Sequence, residues 1–165
     1  MSNPPVQPCF AAERTLGKLT KWLRLLGFDT ISEADVSGDR VFEKLQPGRI
    51  LLTRTRRVRD KFSSHRMVFI EPNDPQAQLE QVVREVGIGA ADIRPFSRCL
   101  RCNLEIVEVE KDSILGQVPD YIWGSHDRFR HCPNCKRIYW PGSHTKRSME
   151  RIGQLFKEEV MGDER

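Results

Sequence analysis

The sequence predicts an α/β protein: a small parallel sheet with covering helices, followed by a metal-stapled module and a C-terminal helix. Three observations lead there. Short apolar runs alternate with helical patterns through the first half of the chain. Two Cys-x-x-Cys pairs then stand at Cys99/Cys102 and Cys132/Cys135, and apolar residues at helical spacing return between Thr145 and Val160. A chain of 165 residues is long enough for one core plus a small stapled module. The corresponding domains are 9–94, 95–144 and 145–165.

Taken in order, residues 1–8 carry three prolines and predict a loose tail. "CFAA" from Cys9 predicts a strand ending at Glu13. Leu16, Leu19, Trp22, Leu23 and Leu26 then recur every three or four residues, with Arg14, Lys18, Lys21 and Arg24 at the other positions of the same turns. Gly27 supplies the left-handed residue that closes this helix. "FDTI" predicts a second strand, and an acidic loop (33–40) follows, whose Asp39 is placed to cap a short helix carrying Val41, Phe42 and Leu45 inward. After the Pro47-Gly48 turn, Ile50, Leu51 and Leu52 form the continuous apolar run of a strand buried on both faces. A basic connection leads to the strand "MVFIE" (67–71) and to a helix marked by Leu79, Val82, Val83 and Val86, ending at Gly87. In such alternating α/β sheets, ligands bind at the carboxyl ends of the strands. That edge should gather Glu13, Glu33, Asp35, Asp39, Thr55 with its arginines, and Glu71.

The two cysteine pairs are the strongest signal in the second half. Thiolates two residues apart on a tight turn both point at one ion, and two such turns complete a tetrahedron around Zn²⁺. Redox thiols and a rubredoxin-like iron site share this spacing and stay open. The 29 residues between the pairs (103–131) exceed what a minimal finger needs, so the stretch around "GQVPDYIWGSHDRF" is an inserted loop, preceded by the strand-like "LEIVEVE". His131 and His144 are taken as non-ligands because four thiolates fill the site. Cys9, in an apolar strand, reads as a buried small hydrophobe.

Composition limits the partners. A mean hydropathy of −0.54, no apolar run near the roughly 20 residues of a membrane span, and an N-terminus with no basic and apolar signal regions point to a cytoplasmic protein with no membrane partner. Between Arg49 and Arg66 seven basic residues face one acid, Asp60, against a net charge of +4 for the whole chain. A local excess of this kind is the footprint of a polyanion such as RNA; a solvated charged loop gives the same pattern. Carboxylates beside cations at a strand edge suit phosphodiester hydrolysis assisted by Mg²⁺ or Mn²⁺, with Glu13, Asp35 and Asp39 as candidate catalytic residues. Each carboxylate alone is equally compatible with a helix cap or an exposed loop charge. Lys18, Lys21, Arg54, Arg56 and Arg57 are the candidates for holding nucleic acid.

The blocks "FAAERTLGKLTKWLRLLGFDT" and "GRILLTRTRRV", then Cys-x-x-Cys-Asn and Cys-x-x-Cys with "IYWPGSH", resemble the Mut-seven C-terminal RNase domain family over roughly residues 9 to 150. The resemblance implies a PIN-like fold joined to a zinc ribbon, metal-dependent ribonuclease activity, and zinc held by Cys99, Cys102, Cys132 and Cys135. Two positions depart from the family pattern. Glu13 stands where Asp precedes the first helix, and Thr53-Arg54-Thr55 stands where the pattern reads Thr-Arg-Asp. A hydroxyl is a weak ligand for a hard divalent ion, so Thr55 predicts a weakened catalytic site. The alternative is a non-catalytic RNA-binding or adaptor protein that keeps the fold and the basic edge.

Overall fold

The computed structural model describes residues 6–35, 42, 45 and 47–161, with side chains through 157. The chain forms two compact units, Met1–Asn103 and Leu104–Arg165. The first is built on four parallel strands, β1 (Cys9–Ala12), β2 (Thr30–Ser32), β3 (Arg49–Thr53) and β4 (Met67–Phe69), in the order β2-β1-β3-β4. The register pairs Ala11 with Ile31 and Leu51, and Leu51 with Met67. The continuous run at 50–52 is buried on both faces, as its composition requires. One face packs Ala11, Leu51 and Phe42 against Leu45, Val58 and Phe62. Phe10, Ile50, Leu52 and Val68 alternate to the other side.

The helix expected between Glu13 and Gly27 begins as a 3-10 turn (Arg14–Leu16) and continues as α1 (Gly17–Leu25). It ends in a Schellman motif: Gly27 N–H donates to Arg24 O and Phe28 N–H to Leu23 O, both at 3.0 Å, with Gly27 at φ +95°. A side chain at Gly27 has no room, since a Cβ there would sit 2.5 Å from Arg94 O. Arg24, placed by periodicity among the outward cations, is buried. Backbone carbonyls and a carboxylate satisfy its guanidinium, as described below.

The basic connection after β3 is a helix, α2 (Arg56–Lys61). Six residues are too few to show a period, and the only apolar markers, Val58 and Phe62, sit one turn apart. The helix α3 (Pro75–Val86) is capped by Asp74, whose Oδ2 accepts from Ala77 N–H at 3.0 Å, and closed by Gly87 at φ +77°. Asp39 and Val41 lie outside the described residues, while Phe42 and Leu45 pack on the sheet as expected.

The second unit holds an antiparallel sheet of β5 (Val107–Val109), β6 (Phe129–His131) and β7 (Ile138–Tyr139), in that order. The inserted loop contains a helix, α4 (Asp120–Ser125), whose Ile122 and Trp123 pack on a small core of Ile114, Val118 and Phe129. The chain continues in α5 (Ser143–Met161), with Ile152 and Phe156 buried. Cys9 is half-buried rather than buried, its thiol directed at Gly48 O.

Candidate active edge and metal centre

The chain runs from β1 to β2 on one side and from β2 crosses to β3 on the other side of β1, so the topological switch point lies between β1 and β3. Glu13 directly follows β1, and Thr53 ends β3. At this point they meet: Thr53 Oγ1 donates to Glu13 Oε2 at 2.6 Å, while Glu13 Oε1 accepts from Thr15 Oγ1 at 2.7 Å and from Arg54 N–H at 3.0 Å. Thr55, at the start of α2, adds a hydroxyl contact to the same carboxylate. Its own amide donates to Thr53 Oγ1 at 3.0 Å, which turns the Thr53 hydroxyl toward Glu13. Glu13 is only 5% exposed. Burial works to raise its pKa, but the hydrogen bonds from Thr53, Thr15, the Arg54 backbone and Thr55 outweigh it and hold the carboxyl below its ordinary value. A carboxylate offers about four acceptor sites, and hydrogen bonds from Thr53, Thr15 and the Arg54 amide take three of them on this ionised group.

Asp35 has a different partner. It closes the 3-10 turn after β2 (Glu33–Asp35) and accepts from Arg24 Nη2 at 2.5 Å. Glu33 Oε2 accepts from Arg14 N–H at 3.0 Å. Among the described residues, the one group of three or more potential metal-ligating His, Cys, Asp or Glu residues in mutual reach is the set of four cysteines. Glu13, Glu33, Asp35 and Glu71 do not form such a group. The cations spread along α1 and α2: Lys18, Lys21, Arg56 and Arg57 are exposed. Arg54 is half-buried and donates to Asn73 Oδ1, a bond the sequence could not have shown because the two residues are 19 positions apart.

The cysteine site is built from two turns of the same form. In each, the residue after the second cysteine takes a left-handed conformation, Asn103 and Lys136 both at φ 63°. The amide of that residue bonds the carbonyl of the first cysteine, Asn103 N–H to Cys99 O at 2.9 Å and Lys136 N–H to Cys132 O at 3.0 Å. The Cys102 amide also points at Cys99 Sγ (3.4 Å), a donor that favours the thiolate. All four Sγ atoms lie within 4.8 Å of one another. Thiolates on one Zn²⁺ at 2.3 Å stand about 3.8 Å apart, so the set suits a tetrahedral ion such as zinc.

The first of these turns is tied into the α/β unit. Arg24 donates from Nε to Thr30 O (3.0 Å) and from Nη1 to Leu100 O (2.9 Å) and Arg101 O (3.3 Å), besides holding Asp35. Asn103 Oδ1 accepts from Thr30 N–H at 2.9 Å, and its amide nitrogen donates to Asp29 Oδ1 at 2.7 Å. Asp29 in turn takes a two-pronged bond from Arg49, 2.9 Å on each side. Burial would raise the Asp29 pKa, but hydrogen bonds from Arg49 and Asn103 and the charges of Arg49 and Arg98 hold it down. Neither Arg24 nor Asn103 was legible as a bridging residue. A cation at an outward-looking position and an amide after a Cys pair carry no local signal of a distant partner.

The depressed Glu13 and Asp29 carboxyls give a pH expectation with a definite sign. Each adds stability that is complete above its ordinary value, 4.5 for Glu13 and 3.8 for Asp29, and is lost as pH falls through the lower folded value. The urea midpoint should therefore hold from about pH 7 to about pH 5 and fall on further acidification. Replacing Glu13 by Gln should reduce that acid sensitivity.

No helix among the described residues is long and apolar enough to cross a membrane. No match to a curated protein and none to a solved structure was found. The Mut7-C RNAse domain matches residues 8–152, most of the chain and both cysteine pairs. With that match and a parallel-sheet unit followed by the four-cysteine cluster, this chain belongs to the Mut7-C RNAse domain family.

Proposed function

We propose that the protein is a weakened, metal-dependent ribonuclease that holds RNA along the carboxyl edge of its parallel sheet, with Glu13 as the acidic centre. The observation that carries this reading is the position of Glu13: an ionised, buried carboxylate at the switch point of an open α/β sheet, where the chain leaves β1 and β3 for the elements that carry the cations of α1 and α2. Lys18, Lys21, Arg54, Arg56 and Arg57 would hold the phosphates, and Asp35 and Asp39 would supply further oxygens. An Mg²⁺-type ion needs one or two carboxylates plus substrate phosphates. The oxygen donors around Glu13 fit such an ion in kind, with a neutral hydroxyl at Thr55 in place of a further charge. When bound, the ion would lower the pKa of a water and steady the leaving oxygen.

The hydroxyl and amide donors that already occupy Glu13 favour a second reading, RNA binding without turnover. Incubation of labelled single-stranded RNA with the protein in Mn²⁺ separates the two. Slow cleavage is expected, reduced at least about 100-fold by Glu13→Gln and increased by Thr55→Asp, which restores a carboxylate. Cleavage that is absent even in Thr55→Asp, or that survives Glu13→Gln, would overturn the first reading.

A further inference from the structure

We propose that the outer face of the β5-β6-β7 sheet is a docking surface for single-stranded RNA, a second contact that rests on the RNA reading above. The two faces of this sheet differ sharply. Val109, Phe129, Ile138 and Trp140 point into the small core. The residues that alternate with them point outward, and the register aligns Glu108 with Arg130 and Arg130 with Tyr139. The pairing extends one step further, since Cys132 N–H donates to Arg137 O at 3.0 Å. By alternation Arg128 and Arg137 then share the face of Arg130 and Tyr139, and Cys132, a buried member of the metal cluster, closes one end of it. The Arg128–Glu108 bond across the strands, at 2.9 Å, agrees with this placement.

Among the described residues the outer face therefore carries three exposed arginines and a half-buried tyrosine with one acid, Glu108, and that acid faces Arg128 in an exposed pair of small energetic weight. Charge does not stop at the sheet. From Arg128 to Arg151 the chain has seven basic residues, all exposed, and a single acidic one, Glu150. Guanidinium groups beside an aromatic ring on an antiparallel sheet suit a single nucleic-acid strand: the arginines take phosphates, and the ring stacks a base. A duplex hides its base faces and would use only the charges.

The test is fluorescence anisotropy of a labelled 12-nucleotide single-stranded RNA with the full chain, over a salt series without added Mg²⁺ or Mn²⁺. Arg130→Ser with Arg137→Ser is expected to weaken binding about ten-fold and to flatten the salt slope by about 1.4, the share of two single-strand phosphate contacts. Tyr139→Ser should weaken it about ten-fold while Tyr139→Phe binds as wild type. Should the double serine variant melt early, Arg130→Lys with Arg137→Lys keeps the charge and must keep the wild-type slope. A parallel variant, Arg56→Ser with Arg57→Ser, reports on the α2 edge. If only the α2 variant loses affinity, this surface is not an RNA site and the proposed function stands. Wild-type protein that binds no RNA removes both. Loss confined to the sheet variants supports this surface and removes the α2 edge.

Discussion

Cys99→Ser is expected to release the bound metal and to lower stability by several kcal/mol, a large part of the roughly 5–15 kcal/mol a domain has. Cys99 is fully buried and receives the Cys102 amide, so the replacement hydroxyl leaves a shorter, harder ligand where a thiolate is needed. The second unit would depend most on an ion held there. Among its described residues one cluster has three buried members, Ile114, Val118 and Phe129, and α5 adds Ile152 and Phe156, too little to fold on apolar burial alone. Chelation of the wild-type protein should give the same loss. The measurement is metal content per chain together with a thermal melt followed by circular dichroism. Unchanged melting after complete removal of metal would show that the cluster is not a structural centre.

The second large effect is expected at Arg24. Arg24→Ala removes charge-assisted bonds to three backbone carbonyls, those of Thr30, Leu100 and Arg101, in a buried setting. At about 1.5–3 kcal/mol for a bond to a charged group, with the long Arg101 bond and the half-exposed Asp35 end left out, the two shorter carbonyl bonds put the loss at about 3 kcal/mol or more. Arg24→Lys should recover only part of it, since an ammonium cannot span three directions in one plane. Urea unfolding of the full chain measures both. An Arg24→Ala protein as stable as wild type would show that the carbonyls find water instead.

Much of the first unit was legible because its signals are local. The run at 50–52 announced a strand buried on both faces, the spacing of Leu16, Leu19, Leu23 and Leu26 a helix, and Gly27 its end. The basic residues of α2 hid a helix because charge masks a period that only Val58 and Phe62 mark. At the candidate site, sequence alone located Glu13 and drew attention to Thr55. It could not show that Thr15, Thr53, Thr55 and the Arg54 amide converge on one carboxylate, since that depends on β1 and β3 lying side by side. Asp35 looked like an active-edge acid by position, and its bond to Arg24 is a tertiary fact with no sequence pattern. The four cysteines were the reverse case: their chemistry fixes their meeting wherever the chain runs.

The ties from Arg24, Asp29 and Thr30 to residues 100–103 bear on how the chain can be divided. Composition changes at Pro95, but a fragment ending at residue 94 would strand the Arg24 guanidinium, one side of Asp29 and the Thr30 amide without their partners. Such a fragment is expected to be less soluble and to lose amide protection along α1 and β2. Ending it at Asn103 retains every one of those bonds, so the unit's proper terminus lies just beyond the first cysteine turn.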